Sequence, residues 1–235
     1  MNQERGILGR AVGNMVRRAV RQRFRHVLWI PPRQPLAAPC IFVANHNGWH
    51  DGYLMYHLVK ALGLPSLDWI EEFGAFPAFA AIGGLPFPND DASARAKTIR
   101  STIRLMNSQQ ASLVLFAEGR LHSGPGILPL GKSLATVAKH VPQATVVPVA
   151  IRYRMGIHER PEAFVMVGVP VQSEGDPRDP TREALCATLS ELDRHIARQD
   201  VSGNGEGFQV LADGTKDVNE RWDVRRAPGG SQWRK

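Results

Sequence analysis

A run of five apolar residues, Cys40-Ile41-Phe42-Val43-Ala44, breaks without transition into Asn45-His46-Asn47-Gly48-Trp49-His50-Asp51. A short run of β-branched and aromatic residues followed by Asn, Gly and two histidines predicts a buried strand that ends in a polar turn. Strand ends in α/β sheets are where ligands bind. His46 and Asp51 stand five positions apart, which lets the carboxylate reach back across the first turn of a following helix to an imidazole nitrogen. An imidazole held in one tautomer by a carboxylate is a general base for an acidic partner such as a hydroxyl. The same pair would also serve as a satisfied turn and helix cap, because Asp51 stands where an N-cap is expected. A metal-dependent hydrolase is a further option, with His46 and His50 four apart and His57 nearby. Gly48 disfavours a continuous helix between those two histidines, and no His-Glu-x-x-His pattern is present.

A second strand, Leu113 to Ala117, leads into Glu118-Gly119-Arg120-Leu121-His122-Ser123-Gly124. A carboxylate that accepts from hydroxyls, a guanidinium that clamps phosphate and a glycine that permits close approach make a polar-substrate pocket at that strand end. Gly126 to Ser133 satisfies the phosphate-loop pattern G-x4-G-K-[ST]. Its context argues against a nucleotide site: Glu118 to Pro125 separate it from the preceding strand, and Pro129 removes an N–H where backbone donors should cradle phosphate.

Charge is concentrated at the start of the chain. Residues 1–34 carry eight arginines against Glu4 alone, so they hold the whole net charge of +7 and the remainder is neutral. A basic leader on a neutral body points to a local electrostatic anchor, whereas a nucleic-acid partner would need a basic body. Ile7, Leu8, Ala11, Val12, Met15, Val16, Ala19, Val20, Phe24, Val27 and Leu28 recur at helical spacing between those arginines. This predicts an amphipathic helix over about 5–28, suited to an anionic bilayer surface, with packing on the body or a transit sequence as the alternatives. No apolar run reaches the ~20 residues of a bilayer span.

The rest of the chain alternates. Helices are expected over Asp51–Leu62, Ala92–Asn107, Lys132–His140 and about 181–198, and strands over Ser66–Ile70, Thr145–Arg152 and Ala163–Val171. Phe73 to Gly84 reads as an apolar segment broken by Gly and Pro, and Pro148 as the mark of a sheet edge or end. The expected architecture is a single α/β domain, a mixed or parallel sheet flanked by helices, preceded by the basic amphipathic helix. The corresponding organisation is a membrane-contact segment at 1–34, a catalytic domain at 35–199 and a flexible tail at 200–235. Cys40 and Cys186 lie far apart without metal-type neighbours and read as buried fillers in a reducing compartment.

Three blocks in order, Asn45-His46-x4-Asp51, Phe116-x-Glu118-Gly119 and Val147-Pro148-Val149, resemble the PlsC-type glycerolipid acyltransferases, which include the 1-acylglycerol-3-phosphate acyltransferases. The resemblance covers about 40–170. It implies His46 as general base on an acceptor hydroxyl, Asp51 as its orienting carboxylate, and Asn45, Glu118, Gly119 and Arg120 on the substrate side. It also implies acyl-CoA or acyl carrier protein as thioester donor, a lysolipid-like alcohol as acceptor, no cofactor or metal, and a peripheral position on the cytoplasmic face of the membrane. The absence of a GxSxG nucleophile elbow agrees with direct transfer without an acyl-enzyme. Two departures bear on the acceptor. The stretch Gly84-Leu85-Pro86-Phe87-Pro88-Asn89-Asp90 lacks the arginine that the family places there for phosphate, with Arg95 several residues later, and the arginine of the third block is displaced to Arg120. A lipid acceptor other than a glycerophosphate, and a non-catalytic lipid-binding adaptor on the same fold, are the alternatives these departures open.

Overall fold

The structure, a computed structural model, describes residues 6–156, 158–172, 175–202, 207–216 and 218. In chain order it contains α1 (Ile7–Arg23), β1 (His26–Ile30), β2 (Cys40–Ala44), α2 (Asp51–Ala61) and β3 (Ser66–Ile70). Two 3₁₀ turns (Phe73–Ala75, Pro77–Ile82) lead to β4 (Gly84–Pro86), α3 (Ala92–Gln109), β5 (Ser112–Leu115) and α4 (Lys132–His140). Then follow β6 (Thr145–Arg154), β7 (Glu162–Val167), α5 (Arg178–Ser202) and β8 (Gln209–Asp213). The strands form one eight-stranded sheet in the order β4-β3-β5-β2-β6-β7-β1-β8. Pairs β3–β4, β3–β5, β2–β5, β2–β6 and β1–β7 are parallel, while β6–β7 and β1–β8 are antiparallel. The expected mixed α/β sheet is therefore what the chain adopts.

β2 sits in the middle, and all five of its residues are buried. Ile41 and Val43 join one apolar cluster with Leu113, Leu134, Phe164 and Leu185, whereas Cys40, Phe42 and Ala44 join another with Leu54, Leu58, Val147 and Val149. Alternate side chains thus enter cores on opposite faces, which is why the strand's sequence shows no polar alternation. The Cys40 thiol is one of these core groups, pushed up to about 11 by burial. Cys186 is half-buried, and both cysteines are free.

The N-terminal region departs from expectation in two ways. The helix ends at Arg23, and His26–Ile30, whose first three residues were read from sequence as the end of the helix, form β1 between β7 and β8. The alternation Val27 buried, Leu28 half-buried, Trp29 buried has period two, but it is too short to be told from helical spacing when arginines surround it. Second, the apolar stripe of α1 is largely spent on the body: Val12, Val16 and Val20 are buried, and the helix packs on α2, β8 and the Pro77–Ile82 turn. Ile7 and Leu8 at its start remain exposed, at 82% and 57%. Among the described residues no helix is long and apolar enough to cross a membrane.

Two further expectations change. β8 falls inside the segment 200–235 read as a tail; it pairs with β1, and the Thr215 backbone N–H donates to the Phe24 carbonyl just beyond it. Trp222 and Trp233 lie outside the described residues. Pro148 stands in an interior strand, not at an edge. It is tolerated because the β6–β7 ladder begins at Val149↔Val167, so Pro148 faces the end of β7, where only its carbonyl is used, by the Gly168 N–H.

Candidate active site

Asn45 to His50 connect the C-terminal end of β2 to α2, and each polar side chain at the start of this turn has a partner. Asn45 is fully buried and clips the turn to β6: its Oδ1 accepts from the Ile151 N–H at 2.8 Å, and its Nδ2 donates to the Ile151 carbonyl at 3.1 Å. It therefore serves as a backbone-like rung between two strands. His46 follows, with Nδ1 at 2.9 Å from Asp51 Oδ2. Its ring stacks on Phe116 at 4.3 Å between centroids.

Asp51 is completely buried. Besides His46, its Oδ2 accepts from the Gly48 N–H at 2.9 Å, and its Oδ1 accepts from the Tyr153 hydroxyl. A carboxylate with these partners in a low-dielectric setting is fixed in orientation, and it favours the His46 tautomer with the proton on Nδ1. Nε2 is then the basic nitrogen, on a ring that lines an adjoining cavity. Burial and the neighbouring Asp51 charge push the Tyr153 phenol far above its ordinary value, so it acts here as a donor only. Tyr153 also explains Gly48, since a Cβ at that position would lie 2.2 Å from the tyrosine ring.

Glu118 enters the site from the end of β5. Its Oε1 accepts from the His46 backbone N–H at 2.9 Å, and its Oε2 accepts from the Leu128 N–H and from His122 Nε2, both at 2.7 Å. Both carboxylate oxygens face inward, tying the turn that carries His46 to the loop at 118–131. Gly119 (φ 73°) and Arg120 lie on the exposed side of that loop. The phosphate-loop-like stretch is accounted for as well. The Leu128 N–H goes to Glu118, the Gly131 N–H goes to the Ala117 carbonyl, and Gly131 is the N-cap of α4.

Of the residues picked out from sequence, the fold thus brings His46, Asp51, Asn45 and Glu118 into one hydrogen-bonded unit and leaves Gly119 and Arg120 on its rim. His50 turns away, edge-on to Phe24 and Trp49. Tyr153 was missed by the sequence reading, which also quoted Phe116 and His122 without giving either a role in the site. Tyr153 stands one residue past the expected end of its strand, and no local pattern marks it as a partner of a residue 102 positions away.

The cavity beside His46 has a volume of about 210 Å³ and opens between α1, α2, β3 and the 3₁₀ segment. Its walls include Trp49, Tyr53, Asp68, Trp69, Phe79 and Phe116. Trp49 is 71% exposed, at the cavity and at the turn that carries His46. An imidazole–carboxylate pair beside a largely apolar hollow can deprotonate a hydroxyl held on an apolar molecule.

Comparison with known proteins gives three findings. Residues 30–152 match the model of the family described as Acyltransferase. A 1-acyl-sn-glycerol-3-phosphate acyltransferase of Haemophilus influenzae is 25% identical over 184 residues, spanning 72% of this chain and 76% of that protein. The crystal structure of the 1-acyl-sn-glycerophosphate (LPA) acyltransferase PlsC from Thermotoga maritima superimposes with a TM-score of 0.55 at 20% identity, covering 82% of this chain and 80% of that one.

Proposed function

The chain belongs to the acyltransferase family, and we propose that it moves a fatty acyl group from an acyl thioester to a hydroxyl of a single-chain, lysophospholipid-like lipid, with His46 as general base. The observation that carries this reading is the 2.9 Å contact between His46 Nδ1 and a fully buried Asp51 at the mouth of an apolar cavity. Nε2 takes the proton from the acceptor hydroxyl as its oxygen attacks the thioester carbonyl. The tetrahedral adduct collapses with cleavage of the C–S bond, and the leaving thiolate takes the proton back from the imidazolium. Asp51 orients the ring and stabilises the imidazolium, and the Tyr153 hydroxyl and Gly48 N–H hold Asp51 in place. Asn45 and Glu118 position the turn that carries the base, while Gly119 and Arg120 meet a phosphate-bearing part of a substrate from the rim. The donor is acyl-CoA or acyl carrier protein. No acyl-enzyme is required, and the buried Cys40 thiol is turned to the Ala37 carbonyl.

The reaction is tested by incubating the protein with an acyl-CoA or an acyl carrier protein thioester and a panel of single-chain alcohols, and detecting the two-chain product by mass spectrometry. Transfer to at least one acceptor is expected. No transfer from either donor type to any acceptor would leave the non-catalytic adaptor as the better account.

In the same reading the protein works from the cytoplasmic surface of a membrane. Arg25 is engaged by Glu162 at 2.6 Å, and Arg17 reaches Asn14 and the Tyr56 hydroxyl, so those two belong to the body of the protein. Arg10, Arg18, Arg21 and Arg23 are exposed, with Ile7 and Leu8 exposed at the start of the same helix. Replacing these four arginines by glutamine is expected to weaken sedimentation with vesicles containing anionic lipid, most clearly at low salt. Equal sedimentation of variant and parent protein would remove α1 from the membrane contact.

A further inference from the structure

The loop that follows β5 is fastened to the main chain of His46 at two points. On one side Glu118 Oε1 accepts from the His46 N–H at 2.9 Å, and on the other the His122 N–H donates to the His46 carbonyl at 3.1 Å. Residues 119–121 span the gap as a short arch, turned by Gly119 at φ 73°, with Arg120 exposed at its crest. Arg120 is therefore never more than two residues from an anchor on the residue that supplies the imidazole. Asn47 holds the far foot of the arch. Its Nδ2 donates to the His122 carbonyl at 2.8 Å and to the Gly124 carbonyl at 3.0 Å, while its Oδ1 accepts from Asn45 Nδ2 at 2.7 Å. Only a donor satisfies two carbonyls, so the orientation of this amide is fixed and both of its hydrogens are used. The stretch it grips, Ser123-Gly124-Pro125-Gly126, is exposed and has little packing of its own to hold it.

We propose that Asn47 is a positioning residue that acts through Arg120: by pinning the far foot of the arch it fixes the guanidinium beside the base, where it meets a substrate phosphate. The inference rests on the proposed acyl transfer and names what holds its phosphate contact in place. That phosphate belongs either to a glycerol phosphate acceptor or to the donor, and the recognition chemistry is the same for both. A long exposed side chain binds well only when its ordering is already in place, and a stem rising from a pinned arch supplies that order. The two polar side chains that hold this loop thus divide the work. Glu118 secures the main chain of the base, and Asn47 aims the cation, so loss of Asn47 falls on affinity and loss of Glu118 on turnover and stability.

A double-mutant cycle tests it. Calorimetric titration with 1-dodecanoylglycerol 3-phosphate and with coenzyme A tells the acceptor's phosphate from the donor's, and 1-dodecanoylglycerol and pantetheine are the phosphate-free controls. Asn47→Ala and Arg120→Ala are each expected to weaken binding of at least one phosphate ligand by about tenfold and to leave its phosphate-free counterpart unaltered. The double variant should bind no more weakly than the weaker single one, because both substitutions remove the same contact. In acyl transfer the loss should appear in KM for that substrate, with kcat little changed. Asn47→Ser retains one donor, should show an intermediate loss, and gives the same test should the alanine variant fail to fold. Losses that multiply in the double variant, or a fall in kcat with all four affinities unaltered, would overturn the inference and leave Asn47 as a support of the catalytic turn alone. Full affinity for both phosphate ligands in Arg120→Ala would overturn it as well, with acyl transfer still standing. Coupled losses of affinity in a protein that transfers no acyl group would keep the inference and sink the proposed reaction instead.

Discussion

Replacing His46 with alanine is expected to lower kcat/KM for acyl transfer by at least about 10³-fold, at the upper part of the range for loss of a general base. The side chain is a quarter exposed and its principal packing is the Phe116 stack, so the melting temperature should change little. Asp51→Asn is the sharper companion. Asp51 accepts from Gly48 N–H, Tyr153 O–H and the protonated Nδ1 of His46. A carboxamide at that place must turn an NH₂ toward one of these donors. If it meets the imidazole, the proton moves to Nε2 and the basic nitrogen then faces away from the acceptor. A loss of about 10²–10⁴-fold in kcat is expected, with the fold retained. Near-parental turnover in either variant would rule out the base assignment. Tyr153→Phe provides a graded check, since it removes one of the contacts that hold Asp51 and leaves the other two.

The second large effect is expected at Glu118. Alanine there leaves the His46 N–H, the Leu128 N–H and the His122 imidazole without their acceptor, and the side chain they lose is fully buried. Removing one member of a buried charged network costs about 3–5 kcal/mol. For a chain of this size that lowers Tm by about 10 °C. Activity should fall further than stability explains, because the carboxylate fixes the main chain of the catalytic turn, and a displacement of about 1 Å there can cost ~10²-fold. Glu118→Gln should fall between, since an amide still accepts from His46 but sets a donor against Leu128. If Glu118 instead contacts substrate directly, the alanine variant would show a raised KM with an unaltered Tm, and differential scanning fluorimetry with steady-state kinetics separates the two outcomes.

How far the site was legible can be followed residue by residue. His46 and Asp51 were readable because their contact is local: five residues of turn and first helical turn contain all the geometry that matters. The strands β2 and β6 were readable because their runs of β-branched and apolar residues fit the inside of a sheet, and β3 because a short segment ending in Trp69-Ile70 follows the turn at Gly63 to Pro65. β1 and β8 were not, because each is short and takes its strand state from distant partners: β1 lies between β7 and β8, and β8 pairs with β1 from far along the chain. The same holds for α1. Its spacing fixed a greasy face but not what that face would meet, and the body of the protein claimed most of it.

A chain with these residues was bound to place an imidazole and a carboxylate together at the end of a buried strand, since short-range stereochemistry leaves little alternative. Folding in three dimensions settled everything carried by distant partners. Tyr153 bolts Asp51 down, Glu118 works as a brace for the base's own backbone, and Asp68 sits in the wall of the substrate hollow. Those contacts join residues dozens to a hundred positions apart, and hydrophobic pattern is indifferent to which polar groups end up face to face once the layers have packed.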